Sequence, residues 1–426
     1  VWKVTASLSA LLLGTFPLSF VAEPTAIGVV GLVSGSLLFA SVLLLKPGER
    51  SFFNRLIRPY LAAALVLCAW IVIQILPLPF VAHSIWKSAS EALDTQLRGS
   101  ISVDLSSSLG ALIVVLSALG TFVAATAISV EPRRAKWIAN AVMWTASAFA
   151  TAILIEHAIG RILPDLRGLA PHSAVLVSLI GIPLGLARAI EALGQGRTGE
   201  GVRSAIHNAL VLVGIVLMLS AALVNAAREI AIPMGVGAIL IALIWLTRRS
   251  RISALASIVA VMALAAIAAA SAISLRDKAE LPLAISFSKA PGNVMDMSVN
   301  VLADVPRQGI GAGAISALLP TYADPAEANA PEMASAAGAA LAEMGAPFFW
   351  CACAIILLAS MAFYLGAVRR GRDWSFAASG AAVIPGIMLA AFILPDRLTV
   401  GGTILLAAST GMAAAQRISR LRTNAE

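Results

Sequence analysis

Charge is what this chain has least of. Only 12% of its 426 residues are Asp, Glu, Lys or Arg, against 59% hydrophobic, and the mean hydropathy is strongly positive. So few charges cannot clothe a soluble domain, and the composition indicates an integral membrane protein. The period-two alternation of a transmembrane barrel is also missing, so the crossing segments are expected to be helices that satisfy their own backbone hydrogen bonds. No aromatic-interleaved basic patch accompanies the net charge of +8, which argues against nucleic acid as a partner. Of the three cysteines, Cys351 and Cys353 are two apart and point in different directions on a helix, so they form neither a redox nor a zinc pair; with Cys68 they read as packing residues. No carboxylate or histidine pair in the polar stretch sits at ligand spacing, and Asp324 with Glu327 alone would make a poor, solvated site, so no metal is expected.

What the chain does have is apolar runs. A bilayer's hydrocarbon layer is about 30 Å thick and needs about 20 apolar helical residues. Twelve spans are expected, over 4–22, 25–45, 60–82, 107–130, 137–158, 173–190, 205–226, 229–247, 253–274, 346–368, 375–395 and 399–416. The fold class is therefore an all-α polytopic membrane protein: about nine helices over 1–274, a long polar loop over 275–345, and about three helices with a basic tail over 346–426. The first 25 residues, with Lys3 and small residues near Ala22, have a signal-peptide-like pattern, and we read them as a retained first helix.

Basic residues set the expected orientation, since Lys and Arg accumulate in cytoplasmic loops. Lys3 and the turns carrying Lys46 to Arg58, Arg133 to Lys136, Arg188 to Arg203, Arg248 to Arg251, Arg369 to Arg372 and Arg417 to Arg422 hold 20 of the 30 basic residues on one side. Both termini are then cytoplasmic, and the 275–345 loop is outside, periplasmic in a Gram-negative cell.

On that outer side lie two kinds of feature. The third span ends in Gln74-Ile-Leu-Pro77-Leu-Pro79, which predicts a kink or early exit. After it, 85–97 is amphipathic and reads equally as an interfacial helix or a connector. Arg161, Arg167, Arg228, Arg276, Arg307 and Arg397 all face outward, and guanidinium groups converging on one cavity would suit a diphosphate. His83, His157 and His172 lie at outer helix ends, and His207 on the inner side; a histidine there can act as a general base toward a sugar hydroxyl, although a hydrogen-bonding role is the commoner one. In the long loop, Gly309, Gly311 and Gly313 follow Pro306. With no strand before them and no Lys-Ser or Lys-Thr after, they read as a flexible turn between two short interfacial helices, not a nucleotide cradle, and no cofactor is expected. An amphipathic segment from Glu332 to Glu343 leads into Gly345. The loop holds eight acids against four bases, a surplus that would repel an anionic lipid unless the acids face water.

These residues resemble the O-antigen ligase and O-antigen polymerase superfamily. The likeness rests on Asp304-Val-Pro306-Arg307-Gln-Gly309-Ile-Gly311, Tyr322 and Leu341-Ala-Glu343-Met-Gly345 in the loop. Earlier in the chain it rests on Gln74 with Leu-Pro-Leu-Pro, Gly99-Ser-Ile-Ser-Val-Asp104, Arg167-Gly168, and Leu219-Ser220 followed by Ala227-Arg228. It spans most of the chain through short motifs. The resemblance implies transfer of glycan from an undecaprenyl-diphosphate carrier at the outer face of the bacterial inner membrane, with arginines on the diphosphate. It also implies a His-Asn pair ahead of the Leu-x-x-Leu-x-Glu-x-Gly helix. Here that pair is replaced by Ala334 and Ser335, and the nearest cation to the family's loop arginine is Lys289.

Two readings follow. One is a metal-independent glycosyltransferase, a ligase or polymerase, with Arg228, Arg167, Arg307 and Tyr322 binding substrate and His172 or Glu343 as a displaced catalytic base. The other is a catalytically silent relative that binds carrier lipid, glycan or a partner membrane protein in a polysaccharide-assembly complex. A transporter is a weaker third, since the middles of the spans are nearly free of charge.

Overall fold

The computed structural model describes residues 2–21, 23–45, 47–160, 174–194, 202–226, 229–250, 281–323 and 332–418. Among them the only regular structure is helical. The order is α1 Trp2–Leu18, α2 Glu23–Leu43, α3 Pro47–Ile75, α4 Ile85–Leu93, α5 Leu105–Ile128, α6 Pro132–Gly160, α7 Ala174–Gly194, α8 Val202–Ala226 and α9 Ala231–Ser250. After the polar interval come α10 Gly292–Asp304, α11 Ile315–Leu318, a 3-10 turn at Leu319–Thr321, α12 Ala336–Met344, α13 Ala346–Arg369, α14 Ser375–Ile393 and α15 Val400–Gln416.

Eight of these helices are long and apolar enough to cross a bilayer: α2, α3, α5, α6, α7, α9, α13 and α14. Three more expected spans are helical: α1 and α15 have 17 residues each, and α8 has 25, of which Asn208–Val224 is an apolar stretch among the described residues. The span expected over 253–274 lies outside the described residues. Of the twelve expected spans, eight are crossing helices by length and composition among the described residues. The third span also differs from its expected bounds. The helix begins at Pro47, because the arginine-bearing stretch has an apolar face (Phe53, Leu56, Ile57) that continues the span, and it ends at Ile75, two residues before Pro77, where the chain leaves the helical conformation.

The bundle core mixes large apolar side chains, such as Leu8, Phe149, Ile180, Leu184 and Phe376, with small residues that let helices approach closely. Lipid tails are as apolar as leucine, so helices in a membrane gain by close van der Waals approach. The shortest of the C-terminal helices, α15, is the most enclosed: Gly401, Gly402, Ala407, Ala408, Gly411, Ala413, Ala414 and Ala415 are all buried, and α5 is its principal neighbour. A Cβ on Gly411 would come within 2.5 Å of the Phe122 carbonyl oxygen, so nothing larger than glycine fits there.

The two ends of the bundle differ in chemistry, and several helices run from one to the other. At one end the Arg134 guanidinium is 3% exposed and sits 2.7 Å from Glu49 Oε1 and 2.7 Å from Glu131 Oε2, joining the start of α3 to the start of α6. The Arg248 side chain donates to the carbonyls of Ala367, Arg370 and Gly371 and lies 5.1 Å over the Trp374 ring. Arg370 donates to the carbonyl and the side chain of Gln416, whose amide in turn donates to the Ser129 carbonyl. Several of these cations thus close the carbonyl-rich C-termini of helices, where positive charge is favoured. At the other end, residues 281–323 and 332–345 form a cap with its own apolar core of Met297, Val301, Ile310, Ile315, Leu318, Leu319, Met333, Ala339 and Ala342. Helix α3 connects Glu49 at the basic end to Gln74 under the cap. Helices α5, α13, α14 and α15 also run between the two ends.

Candidate functional site

The cap is fixed to the bundle through Gln74. This side chain is fully buried at the last turn of α3, and its Nε2 donates to the carbonyls of Glu343 (2.9 Å) and Gln308 (3.3 Å) while its Oε1 accepts from the Ala312 amide (3.1 Å). Its own carbonyl accepts from Ser102 N at 2.9 Å, and Val103 N donates to the Ile310 carbonyl at 2.9 Å. The 99–104 stretch is thereby drawn between the end of α3 and the glycine turn. Trp70, one turn earlier on α3, donates from its indole to the Met344 carbonyl at 3.0 Å and stacks on Phe348 at 5.4 Å.

The glycine run is a packed knot and not a flexible turn. Ile310 N and Gly311 N donate to the carbonyls of Ala342 and Glu343 at 3.0 and 3.2 Å, locking the run to the end of α12. Gly311 (φ 104°) leaves no room for a side chain: a Cβ would lie 2.4 Å from Ser102 Oγ. Gly345 (φ 82°) faces the Arg307 carbonyl oxygen, which a Cβ would approach to 2.3 Å. Both conformations lie in the left-handed half of dihedral space, where only glycine is unstrained. The run does lie between two short helices, α10 and α11, as its spacing suggested.

Helix α12 departs from expectation. An amphipathic segment was expected over Glu332 to Glu343; instead Ala336, Ala337, Gly338, Ala339, Ala342 and Glu343 are all buried, and the helix is enclosed between the cap core and the bundle. Alanine and glycine give a helix thin enough to be covered on all sides, which a count of polar against apolar positions does not register. Its start is built on the two residues that stand where the resemblance implied a His-Asn pair. Ala334 and Ser335 are both 0% exposed. Ser335 Oγ accepts from Gly338 N (2.9 Å) as the N-cap and donates to the Ala284 carbonyl (2.5 Å). Ala334 N donates to Ser298 Oγ (2.9 Å), its carbonyl accepts from Ser288, and Ala336 N donates to the Leu394 carbonyl at 2.8 Å. These polar atoms tie four separate stretches of chain together.

Of the sequence-derived site residues, Glu343, Arg307 and Tyr322 are described, while His172, Arg167 and Arg228 lie outside the described residues. Glu343 is 6% exposed and Oε1 lies 2.9 Å from Arg397 Nη1. That oxygen is at ion-pair distance but off the direction of a hydrogen bond. The pairing holds regardless, because Coulomb attraction depends on distance and not on alignment. Arg397 was expected among the outward arginines; its partner was not foreseen. Arg307 is exposed, and its backbone is fixed against Gly345. Tyr322 donates to Asp304 Oδ2 at 2.9 Å; partial burial, and then the hydrogen bond to that carboxylate and its charge, raise the phenol above its ordinary value. Glu343 is drawn beneath the glycine knot, and Arg307 and Tyr322 remain at the cap's outer face. Of the acids in the described part of the loop, Asp296, Asp304 and Glu332 are exposed and Glu343 is paired, so none opposes an anion from within.

Two further groups complete this end. His83 accepts at Nδ1 from Ile85 N (3.3 Å), at the start of α4, and partial burial lowers its pKa, which keeps the ring a neutral acceptor; this is the hydrogen-bonding role. Helix α4 has no buried residue, but Trp86 anchors it by donating to the Ser102 carbonyl at 3.1 Å. Asp104 caps α5. Its carboxylate accepts from Ser107 Oγ (2.7 Å), Ser107 N (3.2 Å) and Ser106 N (2.9 Å), and these bonds, led by the Ser107 hydroxyl, hold it below the usual aspartate range. A depressed folded-state value means that the stability from this cap is complete above the unfolded aspartate pKa and is lost as pH falls through the lowered one. Faster amide exchange at Ser106 and Ser107 in acid, relative to the middle of α5, is the expected result.

Among the described residues no group of three or more His, Cys, Asp or Glu side chains is gathered closely enough to hold a metal ion. The fold and the capped end define a polytopic helical membrane protein. Against family models, curated proteins and solved structures, the chain has no match.

Proposed function

We propose that the protein is an O-antigen-ligase-like component of cell-surface polysaccharide assembly that binds an undecaprenyl-diphosphate-linked glycan at the periplasmic face of the bacterial inner membrane, without transferring the glycan itself. The observation that carries this reading is the state of Ala334 and Ser335. The resemblance implies a catalytic His-Asn pair at these positions, and here a methyl group and a capping hydroxyl are fully enclosed, with the Ala334 amide and carbonyl and the Ser335 hydroxyl engaged in holding the cap together. A base in this place would have to displace that core. Glu343, the other candidate base near it, is held in an ion pair with Arg397 at 2.9 Å. The positive-inside tendency supports placing the basic end in the cytoplasm and the cap in the periplasm. Arg307 and Arg228 are the residues we assign to the diphosphate, through charge-assisted bonds. Polysaccharide-assembly membrane proteins are the partners that this role calls for.

The test is retention and turnover in nanodiscs. Purified protein is expected to retain an undecaprenyl-diphosphate-linked glycan and leave it unchanged. Arg228→Ala and Arg307→Ala should each weaken retention roughly tenfold, as for loss of one charged hydrogen bond. Appearance of a transferred glycan product would instead establish the transferase reading, with His172 as the base to replace next.

A further inference from the structure

The exposed arginines of α3 make a charged surface that the cap and its glycan chemistry do not use. Helix α3 has 29 residues, about 44 Å at 1.5 Å per residue, against a hydrocarbon layer of about 30 Å. Its C-terminal end is fixed under the cap by Gln74, so the surplus, roughly nine residues, falls at the basic end of the bundle, at headgroup depth. Buried on this part of the helix are Glu49, Phe53, Leu56 and Ile57. At 100° per residue they occupy an arc of about 100°, packed toward Val123 and Ala127 of α5. Arg50, Arg58 and Arg55 are exposed and fall outside that arc, from the flank beside Ile57 (Arg50) round to the far side (Arg58, Arg55), within an arc of about 140°. They form no ion pair with a described residue. The one acid of this helix, Glu49, is turned inward and held by Arg134 at 2.7 Å, so it does not offset them.

We propose that this arginine face binds the phosphates of anionic phospholipids in the adjoining leaflet. A single soluble anion does not span them: Arg50 and Arg58 are eight residues apart, about 12 Å along the axis. A leaflet of anionic lipid presents phosphates side by side along that line, and each guanidinium takes one by a forked contact. Basic segments next to a membrane span are attracted to anionic leaflets on the same grounds.

The experiment is native mass spectrometry of the full chain released from nanodiscs made with equal phosphatidylglycerol and phosphatidylcholine. The wild type is expected to carry phosphatidylglycerol preferentially. The Arg50→Gln/Arg55→Gln/Arg58→Gln variant should lose that preference, at about fivefold per arginine. A control with the same charge removed elsewhere, Arg133→Gln/Arg369→Gln/Arg372→Gln, should keep most of it. Raising salt should lower the wild-type preference, a measurement that needs no variant. The proposal is overturned if the wild type shows no preference, if the control variant loses as much as the α3 variant, if the preference is indifferent to salt, or if water-soluble glycerophosphoglycerol displaces the lipid, which would make this a site for a free anion.

Discussion

Gln74→Leu is expected to release the cap from the bundle while leaving the membrane helices folded. The substitution keeps the volume but removes two donated bonds and one accepted bond, all at a position with no solvent access. The Gln308 carbonyl and the Ala312 amide lose a partner, and the Glu343 carbonyl keeps only Gly311 N. Each buried group left unsatisfied costs about 1–3 kcal/mol, so the two together give a loss of roughly 2–6 kcal/mol. Gln74→Glu should be no better, since a carboxylate can accept from Ala312 N but brings negative charge against two carbonyl oxygens. Limited proteolysis measures this directly: cleavage within 281–345 should accelerate in both variants, and the helical circular dichroism should be nearly unchanged. Equal cleavage in wild type and variant would mean that the glycine knot is held by its backbone bonds alone.

Long periodic or apolar segments were legible in the sequence because the bilayer imposes one length and one hydrogen-bonding solution on them. The cap was not, for reasons that differ by residue. Gln74 carries the clearest missed signal: a primary amide at the end of an otherwise apolar span is costly in lipid unless it has partners. The sequence marks that cost but not the three partners, which lie more than 230 residues away. The positive φ of Gly311 and Gly345 is compatible with any glycine and is revealed only when the opposing backbone is in place. Helix α12 misled because small residues have no strong preference between surface and interior. The Glu343–Arg397 pair joins two residues that had each been noticed for a different role, one as a base and one as a phosphate ligand. Nothing in their spacing brings them together; the return of α14 to the cap end does.

The basic end leads to the second large effect, and it links stability to the lipid surface. Arg134→Met should cost about 3–5 kcal/mol, the penalty for removing one partner of a buried ion pair. The guanidinium is 3% exposed and Glu49 7%, so the carboxylate stays enclosed and loses its cation, while Glu131 loses its own contact. The double variant Arg134→Met/Glu49→Leu should recover most of the loss, because an apolar pair of similar volume avoids desolvating two charges. A thermal melt in detergent reads both: a lower midpoint for the single variant and a near wild-type one for the double. The same two variants separate the roles of Arg134. If it serves only to bury Glu49, the double variant, whose α3 carries Arg50, Arg55 and Arg58 and no acid, should retain its preference for phosphatidylglycerol. The single variant leaves the Glu49 carboxylate without its cation beside those arginines, and its preference should fall along with its stability.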